Sequence, residues 1–282
     1  MQQTREMTDA GDYALARTGP ANVATQEQFE RTILLRGVNI LKAARLVCEA
    51  GHWEVASSCA RQLYEILLNM EAIDRAPSRE EASIKFALYG MLQKLLFQKA
   101  ELEYERDTGR MARVDQLPEI QQRLDSAIFN EFRREKPGGG DPFVSSWTKQ
   151  STWDLAKASA STLRVAQYNT LFKKWSAETH GAPGAYIDNM FGRTGTNWAK
   201  EAIEQDDEEI SGVMQMAMLL FLDLWALVTD TVPFPAEDAV LWTERIFAWI
   251  ERDSKIPDDM RYPKRPDGSY IIAPPPKPED PA

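Results

Sequence analysis

The chain has 282 residues, 43% of them apolar, and its 33 lysines and arginines against 43 acidic residues leave a net charge of −10. This length and apolar content can bury a substantial core in one or two domains, while the acidic balance excludes a broad phosphate-coating surface and leaves room only for a local basic groove. Two cysteines, Cys48 and Cys59, sit in no Cys-x-x-Cys or metal-ligand spacing, which excludes a disulfide framework and makes them reduced core residues.

Residues 1–24 are polar, contain Gly11, Gly19 and Pro20, and show no sustained period, so they are expected to form a flexible arm. The arm lacks an apolar signal-like stretch, and a cytoplasmic location is expected. From Thr25 the character changes. Thr25 and Gln28 have capping-box spacing, and Ile33, Leu34, Val38, Leu41, Ala44 and Val47 then recur at helical intervals until Gly51. A second helix over 52–73 carries Val55, Cys59, Leu63, Ile66, Leu67, Met70 and Ile73 on one stripe. Ser78 and Glu81 open a third, to about Asp107, with Leu88, Met91, Leu92, Leu95, Leu96 and Ala100 as its apolar side. A polar helix is expected over 117–136, ended by Pro137, three glycines, Asp141 and Pro142, the strongest internal break in the chain.

Beyond the break come a short helix over 152–160 and a longer one over 161–179 with Leu163, Tyr168, Leu171, Phe172 and Trp175. The acidic run Asp206 to Glu209 favours a helix start, and the apolar stretch 213–228 is short and interrupted for a membrane span, so it reads as a central buried helix and no membrane partner is expected. A last helix covers 236–251, and the Pro-rich tail 254–282 reads as extended or disordered. The expectation is an all-α bundle of seven to eight helices, a single helical domain over 25–253 between two tails.

His180 is one of two histidines and stands where a helical pattern meets the loop Gly-Ala-Pro-Gly, four residues after Ser176. That placement serves either acid/base chemistry or the capping of a helix end. Arg61 and Glu65 are spaced to pair on one helix side among small and apolar neighbours, as an ordinary surface pair or, if both are buried, as a strut or the wall of a polar site. Asp223, alone in the apolar helix, needs a partner if it faces inward, and Arg61 or Arg164 can supply one. Gly138 to Gly140 form no phosphate loop, because neither a preceding strand nor a following Gly-Lys-Ser/Thr is present. The tryptophans, Trp225, Trp242 and Trp249 among them, fall at helical spacing and read as core. No cofactor or metal site is expected.

The small-residue helix with Ala44, Leu46, Gly51, Ala56, Arg61 and Glu65, and the later Tyr168, Ser176, His180 and Gly181, resemble an uncharacterised bacterial all-helical family, a domain of unknown function likened to HEPN proteins, over about residues 30–230. The resemblance implies a helical bundle, often dimeric, whose active members cut RNA without metal using an arginine a few residues before a histidine. Here Trp175, Lys174 and Lys173 hold the corresponding positions, so Lys174, or Arg61 from another helix, would be the phosphate stabiliser. A lysine is a point charge and cannot grip phosphate in bidentate fashion. Two readings follow. In one the chain is a binding or sensor module, in bacterial defence or stress response, with a polar pocket of Arg61, Glu65, Ser176 and His180 and a protein partner. In the other it is a metal-independent endoribonuclease with His180 as general base, Lys174 or Arg61 at the phosphate and Glu65 as orienting group.

Overall fold

In a computed structural model, the structure describes residues 1–18, 25–109, 113–134, 142–175 and 198–253. The fold is all-α. Helices α1 (Gln2–Arg17), α2 (Thr25–Glu49), α3 (Trp53–Asp74), α4 (Arg79–Asp107), α5 (Leu117–Leu124), α6 (Thr152–Ala158), α7 (Leu163–Tyr168), α8 (Trp198–Ala226) and α9 (Ala236–Asp253) follow in order, with short 3-10 turns after α4 and α5. Among the described residues there is no strand, only an isolated antiparallel bridge between Arg133 and Phe143. The chain divides into two compact units, one of Met1–Ala72 with Ala156–Ala282 and the other of Ile73–Leu155.

In the first unit α2 buries Leu34, Val38, Leu41, Ala44 and Cys48, a stripe at spacings of three and four that follows the sequence period. Gly51, with φ +83°, ends that run in the left-handed region glycine favours. Helix α8 supplies the other half of the core through Val213, Met214, Ala217, Phe221, Leu224 and Trp225. Its segment Asp206–Ala226 is long and apolar enough to cross a membrane by length and composition, but these side chains pack inside the unit. Trp225 donates from Nε1 to the Val232 carbonyl at 3.3 Å, so the largest buried ring keeps its one polar group satisfied. Helix α9 completes this side with Ala239, Trp242 and Ile246.

Residues Gln2–Arg17 are helical, where the sequence suggests an arm. The inward side of α1 consists of Thr4, Met7, Thr8 and Gly11, a set too polar and too small to register as an apolar stripe. Both hydroxyls are satisfied: Thr4 donates to the Met218 sulfur at 3.4 Å and Thr8 to the Arg5 carbonyl at 3.0 Å. Gly11 and Gly37 allow the close approach. A Cβ on Gly11 would lie 2.7 Å from Val38 Cγ2, and one on Gly37 would lie 3.0 Å from a Leu224 methyl. Residues 19–24, like the tail from 254, lie outside the described residues.

The second unit is built on α4. Ser78 caps it by accepting from the Glu81 N–H at 3.2 Å, as the spacing predicted. Leu92, Leu95 and Leu102 are buried with Ile120 and Leu124 of α5, whereas Met91 of the expected stripe is exposed. The expected helix over 117–136 stops at Leu124 and gives way to a 3-10 turn, Ala127–Phe132, that buries Phe129 and Phe132. Tyr89 meets Phe132 edge to face at 5.3 Å and donates its hydroxyl to the Val144 carbonyl at 3.1 Å.

The units divide at 72/73 and 155/156, not at the glycine run. The backbone on the two sides of that run is joined instead. Arg134 N–H donates to the Pro142 carbonyl at 2.9 Å and Val144 N–H to the Phe132 carbonyl at 2.9 Å. The described residues on both sides of the run therefore belong to one unit.

Replacing Gly11 by isoleucine is expected to cost about 1–3 kcal/mol by overpacking the contact with Val38, read as a lower midpoint in urea. An unchanged midpoint would mean that α1 does not pack on α2. Burial pushes the Cys48 thiol up to about 12, with Cys59 adding to the rise, and burial also raises Cys59. Native protein in mildly alkaline buffer should therefore react slowly with a thiol reagent, and denatured protein should release both thiols quickly.

Candidate functional site

Among the described residues, the buried cation of the first unit is Arg164, on α7. Its Nε donates to Glu71 Oε1 of α3 at 2.7 Å, and its Nη1 donates to Gln167 Oε1 at 2.9 Å and lies 2.8 Å from Asp223 Oδ2 of α8. The Arg164 carbonyl accepts from the Tyr64 hydroxyl at 2.6 Å. One residue thus ties α3, α7 and α8 together through side chain and backbone. Burial would pull the guanidinium pKa down, but Asp223 and Glu71 outweigh it and the pKa rises. Burial is also the main cause that raises the Tyr64 phenol, so it remains a neutral donor.

Asp223 finds its partner in Arg164, one of the two candidates the sequence offered. Arg61 pairs elsewhere. Its Nε donates to Glu65 Oε1 at 3.1 Å, and with side chains 32% and 42% exposed the two form a surface pair. Of the alternatives the sequence left open, this exposure fits the surface pair and not a buried one.

What sequence reasoning missed lies beneath Arg61. Its guanidinium carbon sits 4.1 Å from the centroid of the Phe172 ring, and Phe172 stacks in turn on Tyr168 at 4.7 Å with the rings 5° from parallel. Tyr64 closes the cluster, 6.0 Å from Phe172. The aromatic pair spans the point where the expected continuous helix over 161–179 changes. Asn169–Lys174 form a π-helical turn, and within it the buried Oδ1 of Asn169 has no hydrogen-bond partner among the described residues. Such widened turns often occur at functional sites because they displace side chains from the regular helical face. The available sequence signal was the four-residue spacing of Tyr168 and Phe172, which helical neighbours share.

Of the other expected site residues, Ser176 and His180 lie outside the described residues, and the Lys174 side chain does too. Trp175, next in the chain, is buried and donates from Nε1 to Glu209 Oε2 at 3.0 Å. Among the described residues no three His, Cys, Asp or Glu side chains converge as a metal-binding group.

The elements that carry the aromatic stack and Arg164, α3, α7 and the π turn, fall inside the segment 31–197, which matches a family model described as a family of unknown function (DUF5677). The chain belongs to that family. The matched segment contains Arg61, Glu65, Tyr64, Glu71, Arg164, Tyr168 and Phe172, whereas Asp223, the part-exposed third member of the charge cluster, lies beyond it. No curated protein and no solved structure gave a significant match.

Replacing Arg164 by methionine strands two carboxylates and is expected to cost about 3–5 kcal/mol. Glu71 is 11% exposed and Asp223 45%, so Glu71→Gln should destabilise more than Asp223→Asn. Arg61→Met should cost no more than about 1 kcal/mol. Urea melts of the four variants give the ranking, and an Arg61 effect as large as that of Arg164 would contradict it.

Proposed function

We propose that this chain is a HEPN-like helical binding module whose contact point is the Arg61 guanidinium, offered to an acidic group on a protein partner. The observation that carries this reading is the Arg61–Phe172–Tyr168 stack. A guanidinium seated 4.1 Å from an aromatic ring centroid and bonded to Glu65 has given up rotamer freedom before binding, and its planar, permanent charge is the kind that acidic groups recognise. The charge cluster at Arg164 supports the frame, and the Arg61–Glu65 pair lies part-exposed above it. The net charge of −10 disfavours a broad polyanion surface and favours a single local contact.

The test is a pull-down from the native host with the wild-type chain, Arg61→Ala and Arg61→Lys, each checked for folding by circular dichroism. A discrete partner retained by wild type, lost by Arg61→Ala and weakened by Arg61→Lys is the expected result. Retention of the partner by Arg61→Ala would remove the proposed contact. In parallel, purified protein is incubated with RNA in the presence of a chelator. Cleavage abolished by His180→Ala would replace the binding reading with the ribonuclease one.

A further inference from the structure

Helix α4 carries apolar side chains on two opposite sides instead of one. Leu92, Leu95 and Leu102 face the interior of their own unit, and Phe97 and Tyr104 point the other way, 74% and 62% exposed. Gly90, Phe97 and Tyr104 are seven residues apart in succession, so they form one line along the helix, flanked by the exposed Ala87, Lys94, Ala100 and Glu101. A Cβ added at Gly90 would touch nothing within 4 Å, so the line runs from an open hollow to two projecting rings.

We infer that this side of α4 is a self-association surface that takes the same helix of a second copy in antiparallel orientation, centred on Phe97. Two features select that partner. The first is shape. About a two-fold axis at Phe97, a residue a given number of positions before it meets the residue the same number after it, so Tyr104 of each copy falls opposite Gly90 of the other, ring to hollow. The second is charge. Lys94 and Glu101 lie on the same flank of the line, and in the antiparallel arrangement each Lys94 comes within one residue of level with Glu101 of the other copy. A parallel pair would carry this flank of the second copy to the far side of the interface, so Lys94 and Glu101 of the two copies would not meet. Glu101 already accepts from Arg113 of its own chain at 2.8 Å, and a carboxylate has acceptor capacity for both.

One helix pair buries less than the roughly 1,600 Å² of a standard interface, so the dimer should be weak and concentration-dependent. The experiment is sedimentation of the full chain over a concentration series. A reversible monomer–dimer equilibrium is expected, with Phe97→Glu raising the dissociation constant by about 100-fold or more, the range of an interface-centre anchor. Because Phe97 is exposed, that variant should keep the wild-type circular dichroism spectrum. Lys94→Glu and Glu101→Lys should each weaken the dimer, and the combined swap should restore it. Orientation is read separately by oxidation of single-cysteine variants in a Cys48→Ala, Cys59→Ala background. Phe97→Cys should cross-link to itself, whereas Gly90→Cys and Tyr104→Cys should cross-link only when mixed. A chain that stays monomeric at every concentration, a dimer indifferent to Phe97→Glu, or self-cross-linking at Gly90→Cys would each overturn the inference.

Discussion

The first unit depends on one buried cation. Arg164 reaches the interior only because Glu71, Asp223 and Gln167 meet its donors there and because Tyr64 occupies its carbonyl. Apolar contacts alone would allow α3, α7 and α8 to slide or rotate against one another, since hydrophobic burial is non-directional. A guanidinium with fixed donor geometry admits far fewer arrangements, because each alternative leaves a charge without its partner in a low-dielectric setting. Register, more than stability, is what such a cluster supplies.

That register sets the surface above it. Tyr64 touches both levels: its hydroxyl binds the Arg164 carbonyl and its ring approaches Phe172. From there the order passes to Tyr168, Phe172 and the Arg61 guanidinium at the edge of the unit. A hydrogen-bonded base beneath a part-exposed aromatic and cationic pair fixes the position of that pair without strain in the pair itself.

Much of this architecture was legible in the residues, for reasons that can be named. The stripe of α2, the cap at Ser78 and the buried stretch of α8 follow directly from period and capping chemistry, and the lone Asp223 announced its need for a partner. Helix α1 was not legible, because threonine, methionine and glycine bury well only against a neighbour shaped to receive them, and nothing local reveals that neighbour. The π turn was hidden for a related reason: its residues suit an ordinary helix, and no local period marks the widening. Glu71 escaped notice because one acid at the end of a largely apolar helix looks solvated until Arg164 is seen beside it.

The loop at the glycine run has a practical meaning. Phe132 and Arg134 on one side and Pro142 and Val144 on the other are already bonded through their backbones, so chain inserted between them would lengthen a ring that is closed at its base. Doubling such a ring raises the closure cost by only about 0.6 kcal/mol. The position is therefore a natural splice point for a fluorescent domain or an epitope, with the cargo carried on a stalk whose footing belongs to a unit separate from the one that holds Arg61.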